Sequence, residues 1–249
     1  MISMWICFAL FFVVYALKLF NLWIVLMAWS AGLSIYLLIK NKLPSAKYII
    51  IAVLLALVAS LSYFALGFRF YLQMPLSAVS CFLASLATFS VMEKYGDYSL
   101  IRTESKTSPL ISILIALATG IVLGLINLLL AKASNQQSDF AITFPRIILS
   151  LNPGILEEIT NRAIYLAFFT YFFTRQNKPA TKFQIFTMMF MMTVPHCFAH
   201  GYSVVESLIL LVLFGLPFAI LQRKRDLTSA MLSHTIVDLI RFITFGLPV

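Results

Sequence analysis

Glu157, Glu158, Ile159, Thr160, Asn161 and Arg162 set three ionisable side chains inside a long apolar run. In a bilayer each such group costs roughly 2.5 to 3.5 kcal/mol on insertion scales, so a chain that keeps three together uses them, either as a structural ion pair or in chemistry. Helical spacing puts Glu158 and Arg162 on one face as an i,i+4 pair and turns Glu157 about 100° away. The arginine then neutralises one glutamate and leaves the other for proton transfer. The three histidines, His196, His200 and His234, all fall in the last quarter of the chain, within or at the end of apolar runs. His196 and His200 share a helix face, and so do His234 and Asp238. A lone histidine on an apolar face is ordinarily a satisfied core residue. Three of them with two glutamates, an arginine and an aspartate make the side-chain set that acid–base hydrolysis requires. Ionisable groups within a membrane face a bundle interior or a watery cavity, which draws their helices around one site. Glu206, near the start of its span, reads as interfacial.

The elements that position these residues follow from composition. With 61% hydrophobic residues, 11% charged residues and mean hydropathy +0.97 over 249 positions, the chain is not a soluble globular domain. It reads as an all-α, polytopic bundle of eight or nine transmembrane helices. There is one membrane domain, with N-terminal transmembrane helices over 1–132 and the chemistry-bearing helices over 140–247. Met1 to Leu17 lacks a basic leading region and a small-residue cleavage site, so it reads as a retained span rather than a signal peptide. Arg69 marks a tight turn, and Pro75 is expected to kink the span that follows. Gly120 and Gly124 have the GxxxG spacing of close helix packing. Phe140 to Leu151 reads as a short amphipathic piece at the interface. Pro153 and Gly154 are expected to open the glutamate helix, which would put the acids in its first turns where the macrodipole favours negative charge.

Placing the basic loops 40–47, 93–108, 175–182 and 223–226 on one side gives strict alternation and makes that side cytoplasmic. The N-terminus is then inside with nine spans, or outside if the first run is not a span. The net charge of +9 suits basic loops beside anionic membrane lipid, and nothing signals nucleic acid. Cys7, Cys81 and Cys197 lack paired spacing, so neither disulfides nor a cysteine metal site is implied.

The order EExxxR, then a helix bearing histidine, then HxxxN or HxxxD, resembles the CAAX prenyl protease and bacteriocin-processing family of membrane proteases. The matching residues are Glu157, Glu158 and Arg162, then His200, then His234 and Asp238, within about residues 150 to 245. Two departures stand out. The second motif is usually FxxxH, but His196 lies four residues before His200; the phrase FAHG favours His200, with His196 as the alternate. The third motif ends in Asp238 where asparagine is common. An ionised aspartate cannot donate to an oxyanion, so Asp238 is either protonated or orients His234.

The resemblance implies an intramembrane endopeptidase that needs no metal or other cofactor and acts on a peptide or protein substrate. Glu157 would take a proton from a water held between it and His200. Arg162 would anchor Glu158, and His234 with Asp238 would stabilise the oxyanion. Zinc hydrolysis through His196, His200 and Glu157 is the nearest rival, although no HExxH is present. A non-catalytic membrane immunity or scaffold protein of the same family is the alternative from another class. An ion-coupled transporter ranks behind both, because no inverted repeat is evident. The short chain suggests a bacterial plasma-membrane member, for which a prenylated substrate is not expected.

Overall fold

The computed structural model describes residues 1–67, 71, 73–176 and 179–247. Among these the regular structure is helical throughout, as 61% hydrophobic composition inside a bilayer requires: each backbone N–H and C=O must find its partner within the segment. In order the helices are α1 (Ile2–Leu17), α2 (Leu22–Asn41), α3 (Ala46–Leu61), α4 (Gln73–Tyr95) and α5 (Ser108–Ala133). They continue with α6 (Phe144–Asn152), α7 (Ile164–Thr174), α8 (Lys182–Ala199), α9 (Val204–Leu210), α10 (Leu216–Lys224) and α11 (Leu227–Phe245). A 3-10 turn, Ser62–Leu66, follows α3. Among the described residues five helical segments are long and apolar enough to cross a membrane: Leu22–Asn41, Ala46–Phe64, Gln73–Tyr95, Ser108–Ala133 and Val204–Lys224.

Two expectations are corrected here. Pro75 does not kink a span, because α4 begins at Gln73 and Pro75 sits in its first turn, where a missing N–H leaves no bond unmade. Pro153 does not open a helix either. The helical run starts at Phe144 and passes through Pro153 as two π turns, Pro153–Glu157 and Ile159–Ala163, before α7. The glutamates therefore lie well inside a helical run rather than at a positive helix terminus. The turn expected at Arg69 lies outside the described residues.

The chain forms two compact units. One comprises Met1–Ile50, Leu83–Asp97 and Ile159–Ile220; the other comprises Ile51–Phe82, Tyr98–Glu158 and Leu221–Val249. In the first unit α1 and α2 pack on α8 through Phe11, Leu26, Val194 and Phe198. Pro195 and Pro217 lie within the helical segments of this unit, and the π turn Leu211–Gly215 comes just before Pro217. Gly215 faces Cys197, whose sulfur would be 2.9 Å from an added Cβ, so this thiol fills a close helix contact.

The second unit is built around α11, which packs on α5, α6 and the first π turn. Gly120 and Gly124 face it: an added Cβ would lie 2.7 Å from Ile236 Cβ and 2.5 Å from Ile240 Cδ1 respectively. The GxxxG spacing is thus a packing device. Both ends of α11 are capped by distant segments. At its start Asp226 accepts from Ser229 N and Oγ through one oxygen, and from Ser112 Oγ and Arg102 N through the other. At its end Asp139 N and Ala141 N donate to Thr244 O and Ile243 O, each at 2.9 Å, and the Arg146 guanidinium donates to Asp139, Ala141 and Ile243 carbonyls. These bonds satisfy orphan groups at both termini, so α11 is a fixed rod on which His234 and Asp238 ride.

Candidate active site

Residue spacing gives α11 polar side chains one turn apart: Ser229 with Ser233, and His234 with Asp238, are each four residues apart in the helix. His234 and Asp238 meet as that spacing dictates, with Nε2 3.3 Å from Asp238 Oδ2. The other ring nitrogen reaches away from α11. His234 Nδ1 is 2.7 Å from Glu158 Oε1, and Nε2 is also 3.9 Å from Glu157 Oε2. One imidazole therefore has three carboxylates around it.

Local chain geometry brings the glutamates this close. Gly154 lies directly on α11: a Cβ there would fall 2.0 Å from Thr235 Oγ1, 2.7 Å from Met231 O and 2.9 Å from Thr235 N. Two of these atoms are backbone and cannot move aside, so only glycine allows the approach. Two residues earlier Asn152 Nδ2 donates to Ala59 O at 2.7 Å, tying the same segment to α3. The π turn between Gly154 and Glu157 then widens the helix, and such turns are common where a helix must redirect functional side chains.

The two glutamates differ. Glu158 is 0% exposed; Oε1 faces His234, and Oε2 accepts from Gln222 Nε2 at 3.0 Å. The Glu157 side chain keeps 16% exposure. Of the pair, Glu157 is the more exposed. Gln222 was not apparent as a site residue in the sequence, since it precedes Arg223, Lys224 and Arg225 and shares their polar look.

Arg162, His196 and His200 belong to the first unit. Arg162 is 1% exposed, with its guanidinium carbon 5.5 Å from the Phe218 ring centroid. His196, 3% exposed, has Nδ1 3.0 Å from Asn161 Nδ2. An amide nitrogen only donates, so Nδ1 accepts and the ring proton sits on Nε2. His200 ends α8, stacks on Tyr202 at 5.5 Å and meets the edge of Trp23 at 5.1 Å. Sequence reading also passed over Asn161 and Trp23 as neighbours of these histidines; Asn161 stands inside the glutamate motif, which was the available signal. Glu206, by contrast, is exposed and closes a capping box with Ser203, in keeping with an interfacial place.

Residues 139–240 match the family model Rce1-like, described as type II CAAX prenyl endopeptidase Rce1-like. No curated protein and no solved structure gave a match. The matched stretch holds all three motifs, from Glu157 to Asp238, so over residues 139–240 the chain is similar to the CAAX prenyl protease family of membrane proteases.

Proposed function

We propose that the chain is an intramembrane endopeptidase that cleaves a peptide bond with water activated by Glu157. The observation that carries this reading is the division of labour between the glutamates: Glu158 is buried with its oxygens engaged by His234 and Gln222, while Glu157 stays partly exposed beside the same ring. Glu157 takes a proton from water as the water oxygen attacks the carbonyl carbon, and later passes it to the leaving amine. An imidazole set between carboxylates satisfies both nitrogens only by donating from each, which makes His234 an electrophilic partner for the oxyanion. Asp238 then orients the ring, a role that an ionised carboxylate can fill where direct donation is closed to it.

The resemblance adds Arg162 as the partner of the glutamate motif and His200 as a second contact for the attacking water, with His196 as its alternate. No cofactor enters this scheme. Zinc held by Glu157, His196 and His200 is the competing chemistry, and metal content of the purified protein separates the two. The same reading carries eight or nine spans, residence in a bacterial plasma membrane with the basic loops facing the cytoplasm, and a peptide or protein substrate. A non-catalytic immunity role for the same fold predicts a different outcome in one experiment. Membrane peptidomes compared between wild type and Glu157→Ala should differ by a set of fragments sharing a cleavage position; identical peptidomes would favour the immunity reading.

A further inference from the structure

Gln222 lies in α10, outside every motif, and takes no part in the chemistry above except as a neighbour. It is 0% exposed. Its amide nitrogen is 3.0 Å from two oxygens of the same residue, the Glu158 backbone carbonyl and Glu158 Oε2. The terminal torsion of a glutamate is soft and roughly two-fold, so a carboxylate held by one bond can turn. Here Oε1 is held by His234 at 2.7 Å and Oε2 by Gln222, with the amide also fixed to the backbone from which that side chain springs. The carboxylate plane cannot rotate without breaking a bond.

The orientation of the amide is settled by chemistry, because its oxygen in the same place would confront two acceptors. The Gln222 Oε1 itself is buried without a hydrogen-bond partner. A buried acceptor left unmet costs about 1–3 kcal/mol. An apolar side chain of similar size would avoid that cost, so stability alone does not account for glutamine here; its donor end does. We propose that Gln222 is a positioning residue of the peptidase site, which locks Glu158 as the acceptor for His234 Nδ1 and so presents His234 Nε2 to Asp238 and Glu157. The inference rests on the hydrolytic reading, but its physical core, control of the Glu158–His234 bond, can be tested apart from it.

The test uses the full chain in lipid nanodiscs, labelled with nitrogen-15 at histidine. With only three histidines, the His234→Gln spectrum identifies the His234 signals. Gln222→Met conserves volume and removes the donor; the hydrogen-bonded Nδ1 proton of His234 should move upfield, and kcat on a fluorogenic peptide library should fall roughly tenfold at unchanged KM, as when an outer partner of a catalytic ligand is lost. Gln222→Glu keeps a donor only while its carboxyl is protonated, so the wild-type resonance should appear at acid pH and vanish as pH rises. This second variant decides the matter if Gln222→Met does not fold. An unmoved Nδ1 resonance overturns the inference, and so does a shifted resonance with wild-type kcat. If the wild type cleaves no peptide, the hydrolytic reading fails, and the resonance alone still decides whether Gln222 controls the pair.

Discussion

Two buried acidic clusters sit on α11, two turns apart, and they are built from opposite materials. Asp226, 0% exposed, takes all its bonds from groups that do not titrate near neutrality: two serine hydroxyls and two backbone N–H groups. Arg225 Nε stands 3.8 Å off, itself bonded to Ser112 Oγ. His234 instead gathers three carboxylates, Glu157, Glu158 and Asp238, from two separate segments of the chain. The first arrangement caps a helix; the second sets one imidazole among three carboxylates. Burial of a carboxylate therefore says little by itself. The nature of its partners separates a structural acid from one available for chemistry.

That contrast is sharpest if the two clusters fail in different ways. His234→Gln should lower peptide hydrolysis by about 10²–10⁴-fold while leaving thermal unfolding near wild type, because the substituted amide can still donate to buried Glu158. A comparable loss of stability would make His234 a structural residue and erase the distinction. Asp226→Asn should do the reverse. An amide donor there confronts the donors of Ser112 or Ser229, costing about 2 kcal/mol of stability, with kcat of the folded protein retained; chemical denaturation followed by tryptophan fluorescence reads the first and steady-state kinetics the second.

Gly154→Ala probes the joint between the clusters and the glutamates. A methyl group 2.7 Å from Met231 O must push the π turn off α11, so both stability, by about 1–3 kcal/mol, and hydrolysis should drop together. Loss of one without the other would show that the approach at Gly154 does not set the glutamate geometry. The smallest effect is expected for Asp238→Asn, which keeps an acceptor beside Nε2 and installs the residue common in the third motif: about fivefold in kcat, the equivalent of ~1 kcal/mol. A loss as large as that of His234→Gln would mean that the charge of Asp238, rather than its acceptor, is what matters.

Much of this was legible in the sequence, for reasons particular to each residue. His234 and Asp238 are one helical turn apart, so any helix there makes them meet. Gly120 and Gly124 announced a close helix contact, and the apolar composition announced helices. The π turns were not legible, because Pro153 and Gly154 read equally well as the start of a helix; that the run begins earlier, at Phe144, depends on packing of α6 against the turn Ser62–Leu66 and α11. Asp226 looked like part of a charged loop, since nothing local reveals that Ser112, more than a hundred residues away, closes on it. Gln222 was hidden by the same run of polar neighbours. Long-range partners of a single polar residue leave no periodic trace, whereas pairs within one helix do.

The central claim is that Glu157 activates water without a metal. The most direct measurement is hydrolysis of a peptide library by purified protein after exhaustive chelation, wild type beside Glu157→Gln. The account predicts that the chelated wild type keeps its rate and that Glu157→Gln, folded and at wild-type thermal midpoint, loses about 10²–10⁴-fold. Activity that disappears on chelation and returns with zinc, or a Glu157→Gln protein that cleaves at the wild-type rate, would contradict it.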